Sequence, residues 1–150
     1  MSTMFPPNRW PRRRGLPRFP RALSGVIIGS VGPTVLIVDD NASFRRSARA
    51  LLDAEGFVVI GEAATGSAAV TAVDRLDPDV VLLDVVLPDI DGFEVCARIT
   101  RSGRSRPAVV LTSGRDSADF LGRLDGCAAR GFLSKAGLTG PALAAIVCPR

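Results

Sequence analysis

Five apolar runs, each closed by turn-forming residues, constrain the fold of this 150-residue chain more than any other feature. They lie at 34–38, 57–63, 79–87, 107–113 and 131–135. Within the runs, valine, isoleucine and leucine follow one another without the polar–apolar alternation of a half-exposed strand. Such runs are typical of strands that are buried on both faces of a parallel sheet.

Segments with helical spacing separate these runs. They lie at 42–56, 66–76, 91–103, 117–124 and 140–147. In the first, Phe44, Ala48 and Leu52 recur at one-turn intervals, and Gly56 provides a stop. The starts of the strands lie 22 to 28 residues apart, which suits repeated strand–helix units. The sequence therefore predicts an α/β fold with a five-stranded, doubly wound parallel sheet and right-handed crossovers.

The first 33 residues differ in composition from the rest of the chain. They hold six arginines, six of the 11 prolines and no acidic residue, whereas residues 34–150 carry 13 basic and 15 acidic side chains. Proline at this density interrupts helices, so we expect 1–33 to be a disordered extension and 34–150 to be the folded domain. The functional alternative is a basic arm that makes weak contacts with nucleic acid or anionic lipid.

Missing residue types narrow the possible chemistry. The chain has no histidine, which excludes a Ser–His–Asp triad and an HExxH metal site. Cys96, Cys127 and Cys148 are odd in number and far apart, so they predict neither a disulfide framework nor a zinc site. This cysteine usage, together with the absence of a stretch long enough to span a membrane, predicts a cytoplasmic protein.

Polar side chains stand where the apolar runs end. Asp39 and Asp40 follow the first run, Asp84 interrupts the third, Thr112 lies near the end of the fourth and Lys135 ends the fifth. In open α/β sheets, ligands bind outside the carboxyl ends of the strands. Clustered carboxylates repel one another and need a cation, and an all-oxygen ligand set suits Mg²⁺. A carboxylate beside such an ion can attack a phosphoryl group.

Lys135 is the only lysine of the chain, against 18 arginines. An ammonium on a flexible stem can reach across a pocket and bond one carboxylate or phosphoryl oxygen. A planar guanidinium would need a different space. We therefore interpret Lys135 as part of the same site as the carboxylates.

Four segments, in this order, resemble the receiver domains of bacterial two-component response regulators, the group to which chemotaxis regulators belong. They are VLIVDD in the first strand, VVLLDVVLPDIDGFEV around the third, VVLTSG in the fourth and GFLSKAG in the fifth. The resemblance covers residues 34–147. It implies a flavodoxin-like (βα)5 fold and a signalling protein that is not an enzyme.

The resemblance implies a role for each residue of the site. Asp84 would accept a phosphoryl group from a sensor histidine kinase or a phosphotransfer protein. Asp40, Asp84 and the backbone carbonyl of Val86 would bind Mg²⁺, with Asp39 assisting through water. Lys135 would pair with Asp84 or with its phosphoryl group.

The resemblance also implies a switch and an output. Thr112 would move to bond the phosphoryl oxygen, and Phe132 would turn inward with it. Because the sequence ends at Arg150, we expect a stand-alone regulator without a DNA-binding domain. Its output would be contact with a downstream protein through the fourth and fifth strand–helix units.

Other functions remain open from the sequence. One is a pseudo-receiver or truncated transcriptional regulator that acts only as a binding module. Another is a Mg²⁺-dependent phosphohydrolase, although such an enzyme would need a second aspartate two residues after Asp84, where this chain has Val86. A dinucleotide-binding domain would need GxGxxG after the first strand, where VDDNASFR stands instead.

Overall fold

Five parallel strands form one sheet in the computed structural model, in the order β2-β1-β3-β4-β5. The strands are β1 (Thr34–Val38), β2 (Val58–Ala63), β3 (Val80–Asp84), β4 (Ala108–Ser113) and β5 (Gly131–Ser134). The helices are α1 (Ala42–Ala54), α2 (Gly66–Leu76), α3 (Gly92–Ser102), α4 (Leu121–Leu124) and α5 (Gly140–Val147). A 3₁₀ turn, Lys135–Gly137, follows β5. The predicted α/β sheet is thereby confirmed.

The structure describes residues 32–102, 107–114, 120–124 and 127–148. The predicted disordered extension therefore lies outside the described residues, apart from its last two positions. Part of the predicted fourth helix, 117–119, also lies outside them. Among the helices of the described ranges, none is both long and apolar enough to cross a bilayer.

The sheet is buried on both faces, which is why the strand sequences do not alternate. On β1, Val35 and Ile37 belong to one hydrophobic cluster, whereas Leu36 and Val38 belong to another. The helices α1 and α5 contribute residues to the first cluster, and α2 and α3 contribute to the second. In the second cluster, burial and the neighbouring Cys127 raise the pKa of Cys96 to about 11, so this thiol stays protonated near neutral pH.

The third apolar run is longer than its strand. The sequence predicted a strand to position 87, but β3 ends at Asp84. The carboxylate of Asp84 accepts a hydrogen bond from Val86 N at 3.1 Å, a local turn that draws the backbone out of the sheet. As a result, Val86 is 62% exposed although it lies in an apolar run.

The two ends of α1 are each set by a local residue. At its start, α1 is capped by Asn41, whose side chain accepts from Phe44 N at 3.0 Å. At the other end of α1, Gly56 has a φ of 101°, a left-handed conformation that glycine adopts without strain.

The loop between β3 and α3 is tied to α2 by Asp89. Its carboxylate accepts from Gly66 N at 2.7 Å and from Ser67 N at 2.9 Å. These hydrogen bonds hold the pKa of Asp89 well below its ordinary value of 3.8. Asp89 therefore caps α2, a helix that precedes it by more than ten residues in the sequence.

Replacing Asp89 with asparagine is expected to lower the thermal midpoint by a few degrees at pH 7, because the charged acceptor at the start of α2 is lost. A depressed carboxyl pKa stabilises the fold above the unfolded-state value and loses that effect as pH falls toward the folded-state value. The difference between the two proteins should therefore shrink below about pH 4. Thermal melts at several pH values check this, and a difference that does not change with pH would contradict the charge argument.

Candidate functional site

The carboxyl ends of β1, β3 and β4 bring the predicted residues together. The strands β1 and β3 are neighbours, and Asp39 follows β1 directly while Asp84 ends β3. Thr112 of β4 is the register partner of Asp84. Paired residues of adjacent strands lie on the same face of a sheet, so the hydroxyl and the carboxylate share one side.

Three carboxylates cluster at this edge. Asp39, Asp40 and Asp84 each offer an oxygen within 4.8 Å of the others. Asp39 is fully buried, Asp84 is 4% exposed, and Asp40 faces the solvent. Asp39 is fixed from two sides: its N–H donates to Ala63 O at 3.0 Å, and its Oδ1 accepts from Asn41 N at 2.9 Å.

Lys135 reaches into this cluster from the end of β5. Its Nζ lies 2.7 Å from Asp39 Oδ2 and 3.1 Å from Asp84 Oδ2. Only the contact with Asp84 has hydrogen-bond geometry, so Asp39 Oδ2 remains a buried oxygen without a well-directed donor. The solitary lysine of the chain therefore joins two strand ends that are not adjacent to β5.

Burial and mutual contact shift the pKa values of Asp84 and Lys135. Burial raises the pKa of Asp84 and repulsion from Asp39 adds to the effect, although hydrogen bonding from Val86 N and the contact with Lys135 oppose them. Burial alone would lower the pKa of Lys135, but contact with Asp39 and Asp84 outweighs it and raises that pKa. Lys135 is therefore charged near neutral pH.

Thr112 and Phe132 are the residues predicted to switch, and only Thr112 pairs directly with a member of the acidic cluster. Thr112 is 1% exposed. Phe132 on β5 is half-buried and packs against the cluster that contains Leu36, with its ring centroid 6.2 Å from that of Phe120. The next ring in the row is Phe93 of α3, 6.0 Å from Phe120. The movement of Thr112 and Phe132 stays a prediction.

Residues 35–146 match the profile of the response regulator receiver domain. The chain belongs to the response regulator receiver family. Response regulators of this family act in two-component signalling, and the predicted family membership is thereby confirmed. A putative transcriptional regulator of Pseudomonas aeruginosa is 39% identical over 101 residues, which are 67% of this chain and 48% of that protein.

The DNA-binding response regulator MtrA of Mycobacterium tuberculosis is 43% identical over 89 residues, which are 58% of this chain and 37% of that protein. This receiver thus spans less than half the length of either relative. Among solved structures, the receiver domain of the response regulator NarL from Mycobacterium tuberculosis has a TM-score of 0.72 and 30% identity, covering 80% of this chain and 99% of that one.

A second solved structure, the CheX–CheY–BeF3–Mg²⁺ complex from Borrelia burgdorferi, has a TM-score of 0.68 and 25% identity, covering 78% of this chain and 87% of that one. The predicted resemblance to chemotaxis regulators is consistent with this match. Both structures support the flavodoxin-like receiver fold that the sequence implied.

The donor set of this receiver fits a hard divalent cation. The three clustered carboxylates supply oxygen atoms only. The buried Asp39 Oδ2 accepts no well-directed hydrogen bond, and a metal ion or a water bound to it could supply the missing partner. Asp40 leaves one side of the cluster open to water, as Mg²⁺ prefers. Assignment of the Val86 carbonyl as a ligand stays a prediction.

Two residues near the receiver site were missed by sequence reasoning. Arg45 of α1 donates to Asp39 O at 2.6 Å and to Glu62 at 2.9 Å, so it braces the loop that carries the acids. The ring of Phe44 lies 4.9 Å from Lys135 Nζ. The helical spacing indicated a packing face for Phe44, but no signal in the sequence places an α1 side chain against a residue 91 positions away.

Proposed function

We propose that this chain is a phosphorylation-controlled receiver in which Asp84 accepts a phosphoryl group from a sensor histidine kinase or a phosphotransfer protein. The observation that carries the proposal is the position of Asp84, clustered with the Asp39 and Asp40 carboxylates and within hydrogen-bond distance of the Lys135 ammonium. A lone buried acid would lack both the cation and the metal ligands that phosphoryl transfer requires.

In the proposed step, one carboxylate oxygen of Asp84 attacks the phosphorus of a phosphohistidine. The new P–O bond forms as the P–N bond breaks, and the histidine nitrogen keeps the electron pair. Lys135 provides positive charge beside Asp84 for the oxygens of the transferred group. Mg²⁺, held by Asp39, Asp40, Asp84 and the Val86 carbonyl, would neutralise further negative charge on those oxygens.

Thr112 and Phe132 are proposed to convert the phosphoryl group into a surface change. Thr112 pairs in register with Asp84 of β3 on one side and with Leu133 of β5 on the other, so a shift of its side chain would reach the strand that carries Phe132. Phe132 lies on β5, the strand next to β4. Its movement would change the surface that the fourth and fifth strand–helix units form. We propose that a downstream protein reads this surface, as expected for a stand-alone receiver.

The curated relatives favour a second arrangement, in which a receiver controls DNA binding. MtrA is described as a DNA-binding response regulator, and this chain matches only its receiver-length part. The two arrangements differ in what phosphorylation changes: capture of a protein partner by this chain, or DNA binding by a longer protein. A phosphohydrolase is disfavoured because Val86 stands where its second aspartate would be.

The proposed function is tested by intact mass after incubation with acetyl phosphate and Mg²⁺. We expect one phosphoryl adduct on the wild-type chain, loss of the adduct with a chelator, and no adduct on Asp84→Asn, which keeps the shape of the side chain without a nucleophilic carboxylate. Asp91→Asn is the matched control, because Asp91 caps α3 through Glu94 N and lies outside the cluster.

An unmodified wild-type chain, under conditions that modify a known receiver, would overturn the assignment of Asp84. An adduct that persists on Asp84→Asn would show that another residue accepts the phosphoryl group. A Mg²⁺-independent adduct would remove the metal from the mechanism.

A further inference from the structure

The Lys135 ammonium has a third neighbour besides the two carboxylates. The ring of Phe44 on α1 lies with its centroid 4.9 Å from Nζ, inside the range of about 6 Å over which an aromatic face attracts a cation. The Lys135 side chain is 24% exposed, so water screens this attraction only in part. The contact thus has an electrostatic component beyond packing.

Two hydrogen bonds fix Phe44 relative to the acidic cluster. Asn41 N donates to Asp39 Oδ1 at 2.9 Å, and the Asn41 side chain accepts from Phe44 N at 3.0 Å. The first turn of α1 is therefore tied to the loop that carries Asp39. The Phe44 ring also packs against the hydrophobic cluster that Leu133 of β5 borders.

Lys135 comes to the same place from another part of the chain. The turn that begins at Lys135 is held by Ser134, whose hydroxyl accepts from Gly137 N at 3.0 Å. A lysine side chain has several rotatable bonds, so contacts on more than one side are needed to keep its ammonium in one position. Asp39 and Asp84 supply two of these contacts, and the Phe44 ring supplies another.

We propose that Phe44 is a positioning residue, whose ring holds the Lys135 ammonium beside Asp84 by a cation–π contact and so speeds phosphoryl transfer. The rate effect rests on the proposed function, whereas the contact itself does not. Leucine at position 44 would keep apolar packing against the cluster but would lose the negative face of the ring.

The rate is tested with a series of fluorinated phenylalanines at position 44 of the full chain. Successive fluorines keep the ring close to its original size while removing negative charge from its face. With acetyl phosphate and Mg²⁺, we expect the rate to fall stepwise, reaching about threefold to tenfold below wild type for the trifluoro ring and for Phe44→Leu. Phe44→Tyr should retain a rate close to wild type.

The contact is tested independently by NMR with isotopically labelled lysine. Because the chain contains one lysine, its side-chain signals need no further assignment. We expect an upfield ring-current shift of the Lys135 ε-methylene protons in the wild type and loss of that shift in Phe44→Leu. A wild-type chain that takes no phosphoryl group would overturn the proposed function, while this signal would still decide the contact.

Phe57 is the matched control position. Its ring is buried in the same hydrophobic cluster, but it precedes β2 and so lies at the opposite end of the strands from the acids. The same fluorinated series at position 57 should leave the rate unchanged. Equal rates along the series at position 44, or an unchanged lysine signal in Phe44→Leu, would overturn the positioning role.

Discussion

Replacing Lys135 with methionine is expected to slow phosphoryl transfer to Asp84 about a hundredfold and, in the opposite direction, to tighten Mg²⁺ binding about tenfold or more. Methionine keeps much of the length of the side chain but removes the charge that lies 2.7 Å from Asp39 and 3.1 Å from Asp84. The phosphoryl oxygens lose a cation, whereas the metal ligands lose a competitor for their negative charge. Intact-mass kinetics and calorimetric titration with Mg²⁺ measure the two effects.

Lys135→Arg separates charge from shape. It keeps a positive charge near the acids, so Mg²⁺ affinity should stay close to wild type, but the planar guanidinium does not fit where one ammonium contacts two carboxylates. The rate should therefore fall without tighter metal binding. If Lys135→Met bound Mg²⁺ no more tightly and reacted as fast as wild type, the lysine would have no part in the site.

Replacing Gly92 with alanine is expected to lower the free energy of unfolding by about 3 kcal/mol. A Cβ atom at Gly92 would lie within 2.4 Å of Asp84 O and 2.8 Å of Val85 Cα, and both are backbone atoms that a side-chain rotation cannot move. Gly92 N also donates to Val85 O, so α3 begins pressed against the end of β3. The penalty outweighs the gain of about 1 kcal/mol that alanine brings to a helix. Urea unfolding measures it.

Gly122→Ala is the matched control within the same chain. Nothing lies within 4 Å of a Cβ built at Gly122, which is exposed in α4. The same substitution should there change the free energy of unfolding by about 1 kcal/mol or less, toward higher stability. Equal losses at both glycines would show that the loss at Gly92 does not come from close approach to Asp84.

Much of the site could be predicted because its residues follow strand ends. Strands buried on both faces leave a distinct pattern of valine, isoleucine and leucine, and parallel strands bring their carboxyl ends to one edge. The juxtaposition of Asp39, Asp84 and Lys135 follows from that topology, and the structure places all three in contact range. Helix caps such as Asn41 were less predictable, since three candidate acceptors stand in a row before α1.

The sequence alone determined the sheet, its helices and the set of polar residues at its edge, because periodicity and strand-end position are local properties of the chain. Only the tertiary structure decided which side chains touch across elements: Phe44 against Lys135, Asp89 on the start of α2, and Gly92 against the backbone of β3. In the first two cases the contacts join segments 22 or more residues apart. In the third they depend on the turn of one loop. Neither the hydrophobic periodicity nor the residue types of a sequence show which distant segments will touch.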